Sequence, residues 1–109
     1  EAGSPFYKIP HVGWNKLLFP VSRADCGLIK NNIWEGTILQ KLYEGEFVYF
    51  LHSYIAVPDS PSVTLAETIY GNNKFCSALR LNNIFGCQFH PELSGEVGLR
   101  ILREFLFSF

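Results

Sequence analysis

The sequence predicts an α/β fold: a mixed sheet with antiparallel hairpins, closed by one C-terminal amphipathic helix. Three observations carry this. One long run, Gly45 to Val57, is dense in Val, Phe, Tyr and Ile. Three shorter β-rich runs follow it, separated by Gly-Asn and Asn-Asn turn signals. The last segment then changes period, placing apolar residues at helical spacing.

In chain order, the stretch from Glu1 to Pro20 carries Pro5, Pro10, Gly13 and Pro20 and cannot hold a long helix. Lys8 to Val12 reads as a short strand followed by a turn at Gly13. Asn31 to Lys41 is polar with scattered apolar residues and suits a short helix or a turn. Gly45 to Val57, bounded by Gly45 and by Pro58-Asp59-Ser60-Pro61, reads as a strand buried on both faces. Val63 to Tyr70, Lys74 to Leu81 and Ile84 to Phe89 are the remaining strands, joined by Gly71-Asn72-Asn73 and Asn82-Asn83. Leu65, Ala66, Thr68 and Ile69 do not alternate cleanly. In the tail, Val97, Ile101, Leu102, Phe105 and Leu106 line one side of a helix, and Glu96, Arg100, Arg103 and Glu104 the other. Ser94 or Gly95 suits the N-cap, with Glu96 in the first turn complementing the helix dipole.

Composition bounds the function classes. The chain of 109 residues is 48% hydrophobic, 16% aromatic and 17% charged, enough for one domain's core and too apolar for a disordered tail. Small domains bury proportionally less surface, so some aromatics are expected to stay exposed or to be covered by a partner. A net charge of −1 argues against a nucleic-acid partner. No apolar run approaches the roughly 20 residues of a membrane span, and EAGSPFYKIP has no basic segment leading into an apolar one. A soluble, cytoplasmic protein is expected. Cys26, Cys76 and Cys87 are odd in number and lack C-x-x-C spacing, so reduced thiols are expected rather than zinc ligands or disulfides. His11, His52 and His90 are scattered without ligand spacing, so neither a metal nor an organic cofactor is expected.

The chemistry-bearing feature is Gly86-Cys87-Gln88-Phe89-His90-Pro91-Glu92. An apolar strand ends at an imidazole, Pro91 stiffens the backbone, and a carboxylate follows. A carboxylate beside an imidazole selects its tautomer and stabilises the imidazolium, which is the base-and-orienter half of a nucleophilic triad. The same short spacing also suits two polar residues capping the next helix.

Gln88-Phe89-His90-Pro91-Glu92 resembles the histidine–glutamate motif of class I glutamine amidotransferases. Ile9-Pro10-His11-Val12-Gly13-Trp14-Asn15, Tyr49-Phe50-Leu51-His52-Ser53-Tyr54, and Tyr70-Gly71 with Phe75 stand in the same order and at similar spacing. Within that family the set is similar to the glutaminase subunits of imidazole glycerol phosphate synthases, from about Ile9 to Phe105. Leu93 departs from the lysine usual there.

The resemblance implies a fold, an activity and partners. Residues 1–109 would form a single partial domain, the C-terminal half of a glutaminase. His90 would be the general base and Glu92 its orienter. The nucleophilic cysteine and the oxyanion loop would lie in an N-terminal half with no counterpart here, since none of the three cysteines sits in a Gly-x-Cys-x-Gly elbow. The chain alone is then expected to be inactive. His52, Ser53 and Tyr54 would meet the glutamine substrate, or serve simply as strand residues. Pro10, His11, Trp14 and Asn15 would face a synthase or cyclase subunit, with Trp14 as anchor, or Trp14 would cover a local core beside Pro10. The family's missing strands would leave Phe47 to Ala56 with an open apolar edge, closed by the missing half or by homo-oligomerisation. Three other readings stay open: an amidotransferase for nucleotide-sugar or surface-polysaccharide precursors, a non-catalytic interaction or ligand-binding module on the same fold, and a mixed α/β domain with a chance His-Pro-Glu.

Overall fold

The computed structural model describes residues 11–20 and 34–108. Its strands are β1 (His11–Lys16), β2 (Phe47–His52), β3 (Thr64–Tyr70), β4 (Asn73–Leu81) and β5 (Ile84–Cys87), followed by helix α1 (Gly95–Ser108). Short 3-10 turns lie at Pro61–Val63 and Pro91–Leu93. The α/β class, the antiparallel hairpins and the C-terminal helix are all present. Two sheets share the strands: β1 pairs with β2, and β3, β4 and β5 form a meander. Every strand pairing among the described residues is antiparallel. The sheets are stitched by isolated bridges Leu18–Glu67 and Ala56–Cys76 and by the Thr68 hydroxyl donating to the Lys16 carbonyl.

The turn residues set the hairpin registers. Pairing of Tyr70 with Asn73 leaves Gly71-Asn72 as a two-residue loop, and pairing of Leu81 with Ile84 leaves Asn82-Asn83. Gly71 and Asn82 both take positive φ, 65° and 58°, the left-handed backbone that tight hairpins require. Strand β3 fails to alternate because its register slips between Thr64, Ala66 and Glu67, a bulge that turns neighbouring residues to one side.

Three expectations are corrected. Gly13 (φ 132°) lies inside β1 instead of turning the chain, because β2 pairs with the strand on both sides of it; the Lys8 to Ile9 part of the expected strand, with Pro10, lies outside the described residues. Strand β2 is buried on one face only: Val48 and Phe50 enter the core while Phe47 and Leu51 are exposed, because among the described residues the outer face of the two-stranded ribbon is not covered by a second sheet. Asn31 to Lys41 suits a short helix or a turn, and its described residues, from Trp34 on, form turns. They nevertheless supply core: Trp34, Ile38 and Leu39 are buried, and the Trp34 indole donates to the Leu65 carbonyl at 2.6 Å. Strand β5 ends at Cys87, after which Gln88 still donates its N–H to the Ser77 carbonyl.

Helix α1 buries little of its apolar side. Ile101 enters the core and Val97 packs against it, whereas Leu99, Phe105, Leu106 and Phe107 are exposed. Arg100 fastens the helix through two bonds to the Glu46 carboxylate, at 2.8 and 3.2 Å, just ahead of β2. Among the described residues no helix is long and apolar enough to cross a membrane.

Candidate functional site

Strand β2 and the segment after β5 build the site together. The His90 N–H donates to the Tyr49 carbonyl at 3.0 Å, and the Tyr49 N–H donates to the Ser94 hydroxyl oxygen at 2.9 Å. The Ser94 hydroxyl in turn donates to the His90 carbonyl at 2.6 Å. His90 and Ser94 thus lie along the side of β2 away from β1 and close that edge at Tyr49, where an open edge was expected. Ser94 stands at the N-cap position of α1, as expected, its carbonyl receiving the Gly98 N–H, while its hydroxyl is committed backwards.

The Pro91–Leu93 turn carries Glu92 back towards His90. His90 Nδ1 and Glu92 Oε2 stand 3.0 Å apart, both partly exposed. The Glu92 backbone N–H and the His90 ring hold the Glu92 carboxyl below its ordinary range. A carboxylate can only accept, so it selects the Nδ1–H form of neutral His90 and leaves Nε2 with a lone pair. This arrangement can take a proton at Nε2 and stabilise the resulting charge.

The other residues named from sequence fall into two groups. His52, Ser53 and Tyr54 end β2 and leave the sheet in a bend: Ser53 and Tyr54 are exposed, Tyr54 at 87%, and His52 is half-buried. His52 Nδ1 meets the Tyr54 carbonyl at 3.0 Å, and His52 is close enough to His90 for their charges to interact. His11, Trp14 and Asn15 lie on β1 with alternating directions. Trp14 is 53% exposed and edge-on to Tyr49 across the ribbon, with exposed Val12 and Leu51 on the same outer face. Asn15 donates to the Ile69 carbonyl at 2.8 Å. His11 is 3% exposed, so its imidazole presents nothing to that outer face.

The described thiols, Cys76 and Cys87, are free. Burial raises both, Cys87 to about 12, which disfavours the thiolate form of each. Cys26 lies outside the described residues. Among the described residues no group of His, Cys, Asp or Glu is arranged to hold a metal ion.

Two positions were missed from sequence. Gln88 accepts the Ala56 N–H at 3.0 Å, fastening the segment after the Tyr54 bend to the strand leading to His90. Gly98 lets α1 meet the Pro91 carbonyl, for a Cβ there would stand 1.9 Å from its oxygen. A glycine inside a helical period is the signal that could have marked the second.

Comparison with known proteins bears on this geometry. The family described as Glutamine amidotransferase class-I matches residues 7–109. The imidazole glycerol phosphate synthase subunit HisH of Legionella pneumophila is 42% identical over 100 residues, covering 92% of this chain and 43% of that protein. HisH of Aquifex aeolicus is 45% identical over 98 residues, covering 90% and 41%. HisH of Halobacterium salinarum is 42% identical over 101 residues, covering 91% and 39%. The chain therefore spans less than half the length of these curated relatives.

Proposed function

This chain belongs to the class I glutamine amidotransferases, and we propose on that premise that it supplies the base-and-orienter half of a glutaminase feeding ammonia to a synthase partner. The observation that carries the reading is the 3.0 Å contact between His90 Nδ1 and Glu92 Oε2, anchored to β2 through Tyr49. His90 Nε2 takes the proton of an attacking thiol, and Glu92 holds the imidazolium formed. The thiolate attacks the side-chain amide carbon of glutamine. The imidazolium then protonates the departing nitrogen, which leaves as ammonia, and water releases glutamate from the thioester. The raised thiols of Cys76 and Cys87 support a nucleophile from outside the described residues, in a partner segment or a longer chain. The exposed bend at Ser53 and Tyr54 is the face that meets the amino-acid end of glutamine.

The outer face of the β1–β2 ribbon, with Trp14 at its centre, is the docking surface for the synthase partner. Aromatic anchors of this kind bury large area with few rotatable bonds. We place the protein in the cytoplasm, where thiols such as Cys76 and Cys87 stay reduced.

The test is glutamine hydrolysis by the chain alone and together with the complementary N-terminal segment of a relative. The chain alone is expected to release no ammonia above a His90→Ala control. The complemented protein is expected to turn over, and to lose turnover in His90→Ala. Ammonia release by the chain alone that is abolished in one of Cys26→Ser, Cys76→Ser and Cys87→Ser would show that thiol to be the nucleophile. A complemented protein indifferent to His90→Ala would refute the assignment of the base.

A further inference from the structure

His11 is a buried titratable group that the proposed chemistry leaves unused. Its ring is sandwiched between Tyr70, 4.0 Å away and 15° from parallel, and Phe50, 4.8 Å away and 13° from parallel. Phe75 closes the pocket edge-on at 6.0 Å. The stack fixes the ring plane, and cross-strand pairing of His11 with His52 fixes its height along the ribbon. His11 Nδ1 then stands 3.0 Å from His52 Nε2.

Donor and acceptor chemistry decides the protons. The Tyr54 carbonyl can only accept, so the 3.0 Å contact from His52 Nδ1 requires Nδ1–H. A neutral His52 therefore has a lone pair on Nε2, and only an Nδ1–H on His11 completes the contact between the rings. We infer that His11 is a positioning residue: its Nδ1–H bond locks His52 in the Nδ1–H form, and through it the Tyr54 carbonyl and the 52–54 bend. Among the described residues the ionisable groups facing the pair are the Tyr70 phenol from β3 and His90 beyond β5; Phe50 and Phe75 are apolar. Burial, aided by the neighbouring His52, pushes His11 down to about 4. Burial also lowers His52, against the bond to the Tyr54 carbonyl, with the His90 charge adding to the lowering. Both shifts favour the neutral rings on which the bond between them depends. The consequence for substrate rests on the glutaminase reading; the proton assignment does not.

The experiment is long-range proton–nitrogen correlation on the intact protein labelled at histidine nitrogen, at pH 7.5. His11 and His52 are each expected as a single Nδ1–H form. In His11→Phe, which keeps an aromatic ring in the stack but has no donor, His52 is expected to become a mixture that includes the Nε2–H form. His11→Asn, whose amide can donate from the position of Nδ1, is expected to restore the single form. In the protein complemented for turnover, His11→Phe is expected to raise KM for glutamine about tenfold with kcat changed less, and His11→Asn to reverse it. An Nε2–H or mixed His52 in the unmodified protein overturns the inference, whether or not the Phe variant folds. So does a His52 unchanged by His11→Phe. If the nitrogen spectra are as expected but no complemented protein hydrolyses glutamine, the His11 assignment stands and the glutaminase reading falls.

Discussion

Gly98→Ala is the sharpest test of how the site is held. In an exposed helix interior this change stabilises by about 1 kcal/mol, because alanine loses less backbone freedom on folding. Here the new methyl would stand 1.9 Å from the Pro91 carbonyl oxygen, 2.8 Å from its carbon and 2.9 Å from the Ser94 Cβ. Two of those three atoms are backbone and cannot swing aside. To reach even 3.0 Å from that oxygen, the Pro91–Leu93 turn or the first turns of α1 must retreat by about 1 Å, and overpacking of that kind costs about 1–3 kcal/mol. The clash offsets the propensity gain, so a net loss of up to about 2 kcal/mol is expected by urea denaturation. The displacement also falls on the residues between His90 and Glu92, so the His90 ring resonances are expected to move. Leu99→Ala, one position on and exposed, is the control and is expected to shift neither by much. A Gly98→Ala protein as stable as the unmodified one, with His90 unmoved, would refute the close approach of helix and turn.

Three further outcomes are expected. Ser94→Ala removes the acceptor for the Tyr49 N–H and the donor to the His90 carbonyl; leaving those groups unmatched in a buried place is expected to cost about 1–3 kcal/mol in urea denaturation. Acid weakens the fold through His11. Its folded-state value of about 4 lies below the ordinary 6.5, so the unfolded chain binds the extra proton, and stability falls as pH drops from 6.5 towards 4 and then levels; denaturation midpoints across that window should show a shallower fall in His11→Phe. Trp14→Ala is expected to leave the urea midpoint nearly unchanged, since the ring is half exposed, while weakening binding to the proposed synthase partner by about 2 kcal/mol, some 30-fold, in titration calorimetry.

Much of the fold was legible because its signals are local. The Gly71-Asn72 and Asn82-Asn83 loops announce hairpins because few residues tolerate positive φ, whatever lies elsewhere. The helix from Gly95 is read from its own period. Gly13 misled for the same reason: it was read as a local punctuator, whereas pairing with a strand some forty residues on keeps it extended. The both-faces reading of β2 failed because apolar content reports the wish for burial, and the number of neighbouring layers decides whether it is met.

The sequence by itself put His90 and Glu92 two positions apart around Pro91, near enough to meet once the chain turns there, as it does at Pro91–Leu93. Tertiary structure alone decided what holds that span in place and which histidine stays silent. Ser94 reaches Tyr49 across 45 positions and His11 reaches His52 across 41, so neither partner is visible in any local window. Serine before a helix normally caps it, and histidine on a strand can face either way. The direction of a hydroxyl and the side of a ring are settled only when distant strands fill the space around them and leave one set of acceptors within reach.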